Sequence, residues 1–564
     1  MTRYGRLLPF AMLAALLPFS APAHEANGIA SDTTPAIAWT RCASGDVEAI
    51  WIRAWGDRLQ CGRMRAPLDY DNPTSRSIDI GLVRVTAAVP AQRQGAIFFN
   101  FGGPGLSPLN LLPETAALFQ VASPSHPVDG DKRRIAERFD LVAVVPRGLK
   151  GGTMFSCPEP LGIPAWLDTT VYLADWNWAG FLRDTRSFAQ SCSADATQWH
   201  MGTWQHVRDM ERARVALGEP LMHYFGTSYG TYVGVSYAAT YPTRTGRFVL
   251  DSVMDYSGSF EAQLGNHAPA KQRRFEQVVL RPAMANPAYG IGTDATHVMA
   301  RFRAMPTRLQ GPWQARVDSP AQLAAMLTLA DWVRAEMATW TDTEAWEGLA
   351  DRLLPRIAQH AFSADPTIDD QIRYAATRLA SPLRASVHMP SDNSMYYATV
   401  CGDSSWHKQP GDLRRMANAI AARYPAGGGA PVTVGLICHY WRGAPRPAPP
   451  LAELTRARPM LMVQAEFDPA TPLDGATNAF GVTPDARMVV ARGMSGHGVF
   501  GLSATPCIER AVGRFLLTGE LPADRLSECA FVPEDPHARP TRGTHDLPPA
   551  HQLRERLREA LRDS

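Results

Sequence analysis

The sequence lacks a charge excess of either sign: 56 Lys and Arg stand against 54 Asp and Glu, a formal net charge of +2 over 564 residues. Loss of an N-terminal leader carrying Arg3 and Arg6 brings it to near neutrality. A nucleic-acid partner needs a basic excess or stripe, so that class is excluded. C-x-x-C and H-E-x-x-H are both missing, which argues against zinc, and so is a phosphate-binding P-loop. No metal and no cofactor are expected. Internal repeats are lacking as well. What is present, 45% hydrophobic and 20% charged residues, is an ordinary globular composition and excludes disorder throughout.

A membrane-spanning run is not expected at the N-terminus either. The apolar stretch Leu7 to Phe19 is shorter than the ~20 residues a spanning helix requires, and it contains Pro18. Arg3 and Arg6 before it and Ala21-Pro22-Ala23 after it predict a cleaved signal peptide over 1–23 and a secreted or periplasmic protein. His24, not a cysteine, stands directly after the cleavage site, so a lipid anchor is not expected and no stable membrane anchor is foreseen. Eight cysteines follow the leader: Cys42, Cys61, Cys157, Cys192, Cys401, Cys438, Cys507 and Cys529. An even number in an oxidising compartment predicts disulfides. The sequence leaves connectivity open; pairing of sequential neighbours is the simplest guess.

Short apolar, β-branched and aromatic runs alternate with helix-like segments in the first half, the pattern of a mainly parallel sheet. Strands are expected at 78–85, 96–101, 141–145, 221–225 and 248–250, and again at 460–465 and 488–491. Residues 256–455 lose this rhythm and read as an inserted helical domain, with "YPAGGGAP" at 424–431 as a flexible loop near its end. The expected division is therefore a first core segment at 24–255, the helical insertion at 256–455, a second core segment at 456–530 and a polar tail at 531–564. In that tail Leu553, Leu557 and Leu561 fall four apart, which predicts a short amphipathic helix with a peripheral packing or solubility role.

The stretch "HYFGTSYGTYVG" at 223–234 carries G-x-S-x-G at Gly226, Ser228 and Gly230. Three such residues alone also describe a plain turn. The context is more specific: Val207, Met210, Ala213 and Leu217 recur at helical spacing, Gly218 suits a left-handed stop, and a strand leads directly to Ser228. Glycines at 226, 230 and 234 leave a bare stripe on the outgoing helix. This pattern predicts a nucleophile elbow, with Ser228 raised on a sharp strand-to-helix turn.

A serine hydroxyl needs a base within reach and an acid to orient that base. His497, between Gly496 and Gly498 just past an apolar run, is the expected base; the later histidines lie in a polar, proline-rich tail. Glu466 and Asp468 both follow the strand ending near Ala465, and Asp468 is better placed because Asp-Pro starts a turn. In "IFFNFGGPGLSP" a strand breaks into Gly102, Gly103, Pro104 and Gly105. The N–H groups of Gly103 and Tyr229 are the expected oxyanion donors.

With these parts placed, the chain resembles the exported α/β-hydrolases of the tripeptidyl aminopeptidase and proline iminopeptidase group, the S33-like serine peptidases with a TAP-like C-terminal region. The resemblance covers roughly residues 60–530 and rests on the G-G-P-G loop, "YFGTSYGTYVG", "FDPATP" and "GHG". It implies an α/β-hydrolase fold, a mainly parallel central sheet flanked by helices, with a large inserted helical cap. It also implies the triad Ser228, Asp468 and His497, and peptide substrates with a free N-terminus. Phe101 and Val145 stand where members of the group commonly have Pro and Asp. An exopeptidase must pair the substrate's ammonium, and Asp403 in "VCGDSSW" is a candidate, against the alternative of a solvated loop aspartate. The same triad serves esters, so a carboxylesterase or lipase-like hydrolase is the alternative within catalysis. A non-catalytic binding protein on this fold is the alternative outside it.

Overall fold

The computed structural model describes residues 36–562 apart from 165–166, 315–316, 338–345, 385–392, 444, 504 and 533–546. The expected leader lies outside the described residues. Strands β1 (Ile37–Arg41), β2 (Leu59–Pro67), β3 (Ser77–Val85), β4 (Ala96–Asn100), β5 (Asp140–Val144), β6 (Met222–Thr227), β7 (Thr245–Asp251), β8 (Leu461–Ala465), β9 (Arg487–Arg492) and β10 (Leu526–Ala530) form one sheet in the order β1-β2-β3-β5-β4-β6-β7-β8-β9-β10. The pairs β1–β2, β2–β3 and β3–β5 are antiparallel. From β5 to β10 every pairing is parallel.

Parallel strands joined by helical crossovers are covered on both faces, which is why their sequences are continuous apolar runs. Every residue of β4, β5 and β8 is buried. Alternate side chains feed two separate cores: Phe98, Tyr224, Phe248 and Met462 on one face, Ile97, Phe99, Phe225, Val249 and Val463 on the other. The seven strands expected from sequence are present. The three that were not foreseen, β1, β2 and β10, sit at or next to the sheet edges and are partly exposed, so they lack the continuous apolar signal.

Among the described residues, only helices and turns lie between β7 and β8. This insert packs in parts. Phe275, Phe302, Trp313, Leu327, Val333 and Ile372 build a core of their own. Met395, Tyr397, Val400, Val434 and Ile437 instead join the core against the sheet. The division expected at residue 255 also misses a contribution from earlier in the chain: the helix Asp175–Cys192, between β5 and β6, packs on the cap helix Ala430–Tyr440. Sequence rhythm marks where strands stop, and it is silent on which helices share a layer. The loop at 424–431 is pressed against the cap, since a Cβ on Gly427 would lie 2.7 Å from that of Ala268, and Ala426 N–H donates to Gln272 Oε1 at 3.0 Å.

The C-terminal helix Ala550–Arg562 is as expected, but it is not peripheral. Leu553, Leu557 and Leu561 are buried in the same core as β7 and β8. Arg554 and Arg558 donate to the carbonyls of Gly501 and Leu502. A Cβ on Gly498 would come within 3.0 Å of Leu561 Cδ1, so the helix backs the segment that follows His497.

The structure joins Cys42–Cys61, Cys157–Cys192, Cys401–Cys438 and Cys507–Cys529, and no free cysteine remains. Closing loops of 19 to 37 residues removes unfolded-state entropy worth ~3 kcal/mol each. Thermal melts with and without reductant should therefore differ by many degrees, and coincident melts would show that the bridges contribute little. Leu557→Ala opens a cavity in a packed core and is expected to cost about 2–5 kcal/mol in urea unfolding.

Candidate active site

β6 ends at Thr227 and the helix Tyr229–Thr240 begins after a single intervening residue. Ser228 makes the corner at φ 60°, ψ −128°, a left-handed conformation that costs a non-glycine residue ~1–3 kcal/mol. Its neighbours hold it there. Ser228 N–H donates to the Asp251 carbonyl at 3.0 Å, and the Ser228 carbonyl accepts from Thr231 N–H at 2.8 Å and Thr231 Oγ1 at 2.6 Å. The glycine spacing has a steric cause. A Cβ on Gly226 would collide with the Gly230 carbonyl, one on Gly230 with the Asn100 carbonyl, and one on Gly234 with the Tyr224 ring. The outgoing helix thus lies against the ends of β4 and β6.

Asp468 follows β8 by three residues and is buried. Its carboxylate accepts from the N–H groups of Ala470 and Thr471, both at 2.9 Å, and from Thr471 Oγ1 at 3.1 Å. His497 Nδ1 stands 3.0 Å from each of its oxygens. Burial opposes ionisation of Asp468, but the His497 charge and these hydrogen bonds outweigh it and hold the carboxyl below its usual value. For His497 burial also opposes the charge, while the charge and hydrogen bond of Asp468, with the charge of Asp251, raise its pKa above the ordinary 6.5. Nε2 of His497 is buried and makes no hydrogen bond. Glu466, the other carboxylate considered, is engaged by Arg492 and by Gly493 N–H at 2.7 Å.

The segment after β7 links these loops. The Asp251 carboxylate accepts from Val499 N–H at 2.8 Å and Phe500 N–H at 2.9 Å, just beyond His497. Ser252 Oγ accepts from Gly498 N–H at 2.8 Å, and Val253 N–H donates to Gln464 Oε1 at 2.8 Å. Gln464 Nε2 in turn donates to the Thr471 carbonyl at 2.8 Å, behind Asp468. Burial pushes the Asp251 carboxyl up to about 7, against its N–H donors and the His497 charge. Sequence reasoning passed over Asp251, Ser252 and Gln464. They belong to no motif: Asp251 and Ser252 fall just past an expected strand, and Gln464 lies inside another.

The glycine loop after β4 lies directly on the corner. A Cβ on Gly102 would stand 2.9 Å from Ser228 Cβ and 3.2 Å from Tyr229 N. Gly102 N–H is held by Asn100 Oδ1 at 3.0 Å. Among the described residues the N–H groups of Gly103 and Tyr229 are given to no acceptor. Asn100 is itself set by His206, which burial keeps neutral by lowering its pKa to about 4.

Asp403 requires a correction. The disulfide Cys401–Cys438 does fix its segment, but Thr203 takes the carboxylate: its N–H lies 3.2 Å from Oδ1 and 3.0 Å from Oδ2, its Oγ1 donates to Oδ2 at 2.5 Å, and Thr203 Oγ1 also bonds Tyr229 OH. Asp403 is buried and caps the helix Thr203–Ala216 from 200 residues away, so its carboxylate does not await an ammonium group. Arg147, two residues after Val145, is likewise buried, with its Nε and Nη2 both on Asp209.

Residues 424–529 match the family model described as TAP-like protein. A tripeptidyl aminopeptidase of Streptomyces coelicolor is 26% identical over 489 residues, 86% of this chain and 84% of that protein. Serine protease Hip1 of Mycobacterium tuberculosis is 25% identical over 77% of this chain and 80% of its own length. Carboxylesterase B of Mycobacterium tuberculosis is 26% identical over 93% and 97%.

Replacing Asp468 with Asn presents His497 Nδ1 with an amide in place of a carboxylate, which disfavours the Nδ1–H tautomer, and is expected to lower kcat by about 10⁴. Because the carboxylate charge favours the imidazolium, the wild-type rate should fall as pH drops through a His497 pKa above 6.5, and any residual Asp468→Asn activity should fall only at lower pH. A pH profile of kcat/KM checks both; equal inflections in the two proteins would remove Asp468 from this role.

Proposed function

We propose that this chain, an α/β-hydrolase similar over most of its length to a tripeptidyl aminopeptidase, is an exported serine peptidase that releases tripeptides or shorter units from peptide N-termini. One observation carries the reading. A serine held at φ 60° is bridged, through Asp251, to a histidine whose Nδ1 is bonded to a buried carboxylate and whose Nε2 is unengaged. Ser228 Oγ attacks the scissile carbonyl while Nε2 of His497 takes its proton. Asp468 stabilises the imidazolium without itself being protonated. The tetrahedral oxyanion is met by the N–H groups of Gly103 and Tyr229, each worth roughly 3 kcal/mol of transition-state stabilisation. The imidazolium then protonates the departing amine, and a water activated by the same histidine releases the acyl group.

Helices inserted between β7 and β8 support an exopeptidase reading, because a cap over the strand ends restricts access to chain termini. Four disulfides support export, since such bridges persist in oxidising compartments. No helix among the described residues is long and apolar enough to cross a membrane.

An ester substrate is the second reading, favoured by the long alignment with carboxylesterase B. Parallel assays of Ala-Ala-Pro-p-nitroanilide, proline p-nitroanilide and a short p-nitrophenyl ester separate the two. Tripeptide anilide turnover that is lost on N-acetylation is expected; turnover of the ester alone would replace the peptidase with an esterase. A fluorophosphonate probe should label the wild type and not Ser228→Ala. An unlabelled wild type would leave only a binding protein.

A further inference from the structure

The cap helix His267–Arg274 reaches the loops that carry Asp468 and His497. Its C-terminal end is fixed to them: Arg274 Nε donates to Ser495 Oγ at 2.7 Å, two residues before His497, and Arg273 pairs with Asp474 at 2.7 Å. Positions i, i+4 and i+7 of a helix share one face, so His267 and Lys271 lie on the face that Arg274 presents to the His497 loop. The neighbouring face is spoken for, with Ala268 against Gly427 and Gln272 bonded to Ala426 N–H. His267 feels the charges of Lys271, Asp468 and His497, so its ring lies within electrostatic reach of the catalytic pair. Its Nε2 is buried and makes no hydrogen bond.

Lysine is scarce in this chain, with four in 564 residues. Lys132 pairs with Glu509 and Asp129, both at 2.8 Å; Lys408 pairs with Glu261; Lys150 donates to the Gly45 carbonyl. Among the described residues Lys271 alone of the four has neither an ion pair nor a hydrogen bond. Arg274 opposes its charge and Asp168 favours it from beyond pairing distance, the Asp168 carboxylate being held by Thr170 and by Gly429 N–H. Beside Asp168, Thr169 Oγ1 is also buried without a partner. Desolvation lowers the Lys271 pKa, the direction expected of a cation that awaits a counter-charge.

We propose that Lys271, with His267 on the same helix face, forms a subsite for a carboxylate of the substrate, away from the reacting atoms. The inference rests on the serine hydrolase reading above and adds a substrate class to it. Lys271 acts on specificity: it pairs with the substrate away from the reacting atoms. The carboxylate comes from an acidic side chain or from the peptide's free C-terminus, and both present the same oxygens. Arg274 is already paired with Asp318 at 2.9 Å, so Lys271 is the charge that repels an ammonium group from this face and directs the substrate's N-terminus elsewhere.

The test is protection of Ser228 from fluorophosphonate labelling by competing peptides, in wild type, Lys271→Met and Lys271→Arg. One arm compares Ala-Ala-Glu-amide with Ala-Ala-Gln-amide, the other Ala-Ala-Gln with its C-terminal amide. In at least one arm the carboxylate peptide should protect wild type at about tenfold lower concentration than its neutral partner, as a charge-assisted hydrogen bond provides. The arm that discriminates identifies the source. Lys271→Met should abolish that ratio and Lys271→Arg should keep part of it; if Lys271→Met does not fold, Lys271→Gln carries the same comparison. A wild type that labels but shows no preference in either arm, or a preference that survives in the uncharged variant, overturns the subsite alone. A wild type that does not label overturns the hydrolase reading and the subsite with it.

Discussion

The arrangement depends on what the chain does at the end of β7. The Asp251 carbonyl holds the N–H of the strained Ser228, and its carboxylate holds two N–H groups just past His497. The next residues reach Gly498 through Ser252 and, through Val253 and Gln464, the turn behind Asp468. Three loops far apart in sequence therefore share one short stretch of backbone. A left-handed serine survives only where its surroundings over-determine it, and these bonds, with the glycine contacts beneath the corner, supply that constraint.

Around this hub the rest of the chain acts as support. On one side the C-terminal helix sets Leu561 against Gly498 and gives Arg554 and Arg558 to the carbonyls of 501 and 502. On the other, cap arginines 273 and 274 reach Asp474 and Ser495, so the cap is bonded to the same loops it covers. The electrostatics follow. Asp468 and Asp251 both favour a protonated His497, whereas the cap face above brings His267, which burial keeps neutral by pushing its pKa down to about 3, and an unpaired lysine. The carboxylates that favour the imidazolium thus come from the sheet-side loops, whereas the cap helix contributes a neutral imidazole and a lysine without an ion pair.

Much of this was legible in advance because its physical causes are local. A strand covered on both faces needs a continuous apolar run, so β4, β5 and β8 were visible. A helix that crosses close to strand ends needs glycine at fixed intervals, so the corner at Ser228 was visible too. Sequential cysteine pairing matched the bridges because each joins elements near in chain order. Asp403 was misread for the opposite reason: a loop carboxylate looks the same whether it faces solvent or caps a helix 200 residues earlier. Asp251 carries no local signature, since its carboxylate is claimed by N–H groups more than two hundred residues away, and neither does Lys271, which stands out only by lacking a counter-charge.

By itself the sequence determined the chemistry available: a serine in a glycine-fenced turn, an aspartate and a histidine after later strands, a donor loop after an early one, and cysteines for an oxidising compartment. Tertiary structure decided which carboxylate meets the histidine, which aspartates are structural, how earlier and later helices combine into the cap, and which cation is left unpaired. The division follows from range. Backbone propensity and close approach are written into neighbouring residues, whereas pairing, burial and field depend on distances that only the folded chain sets.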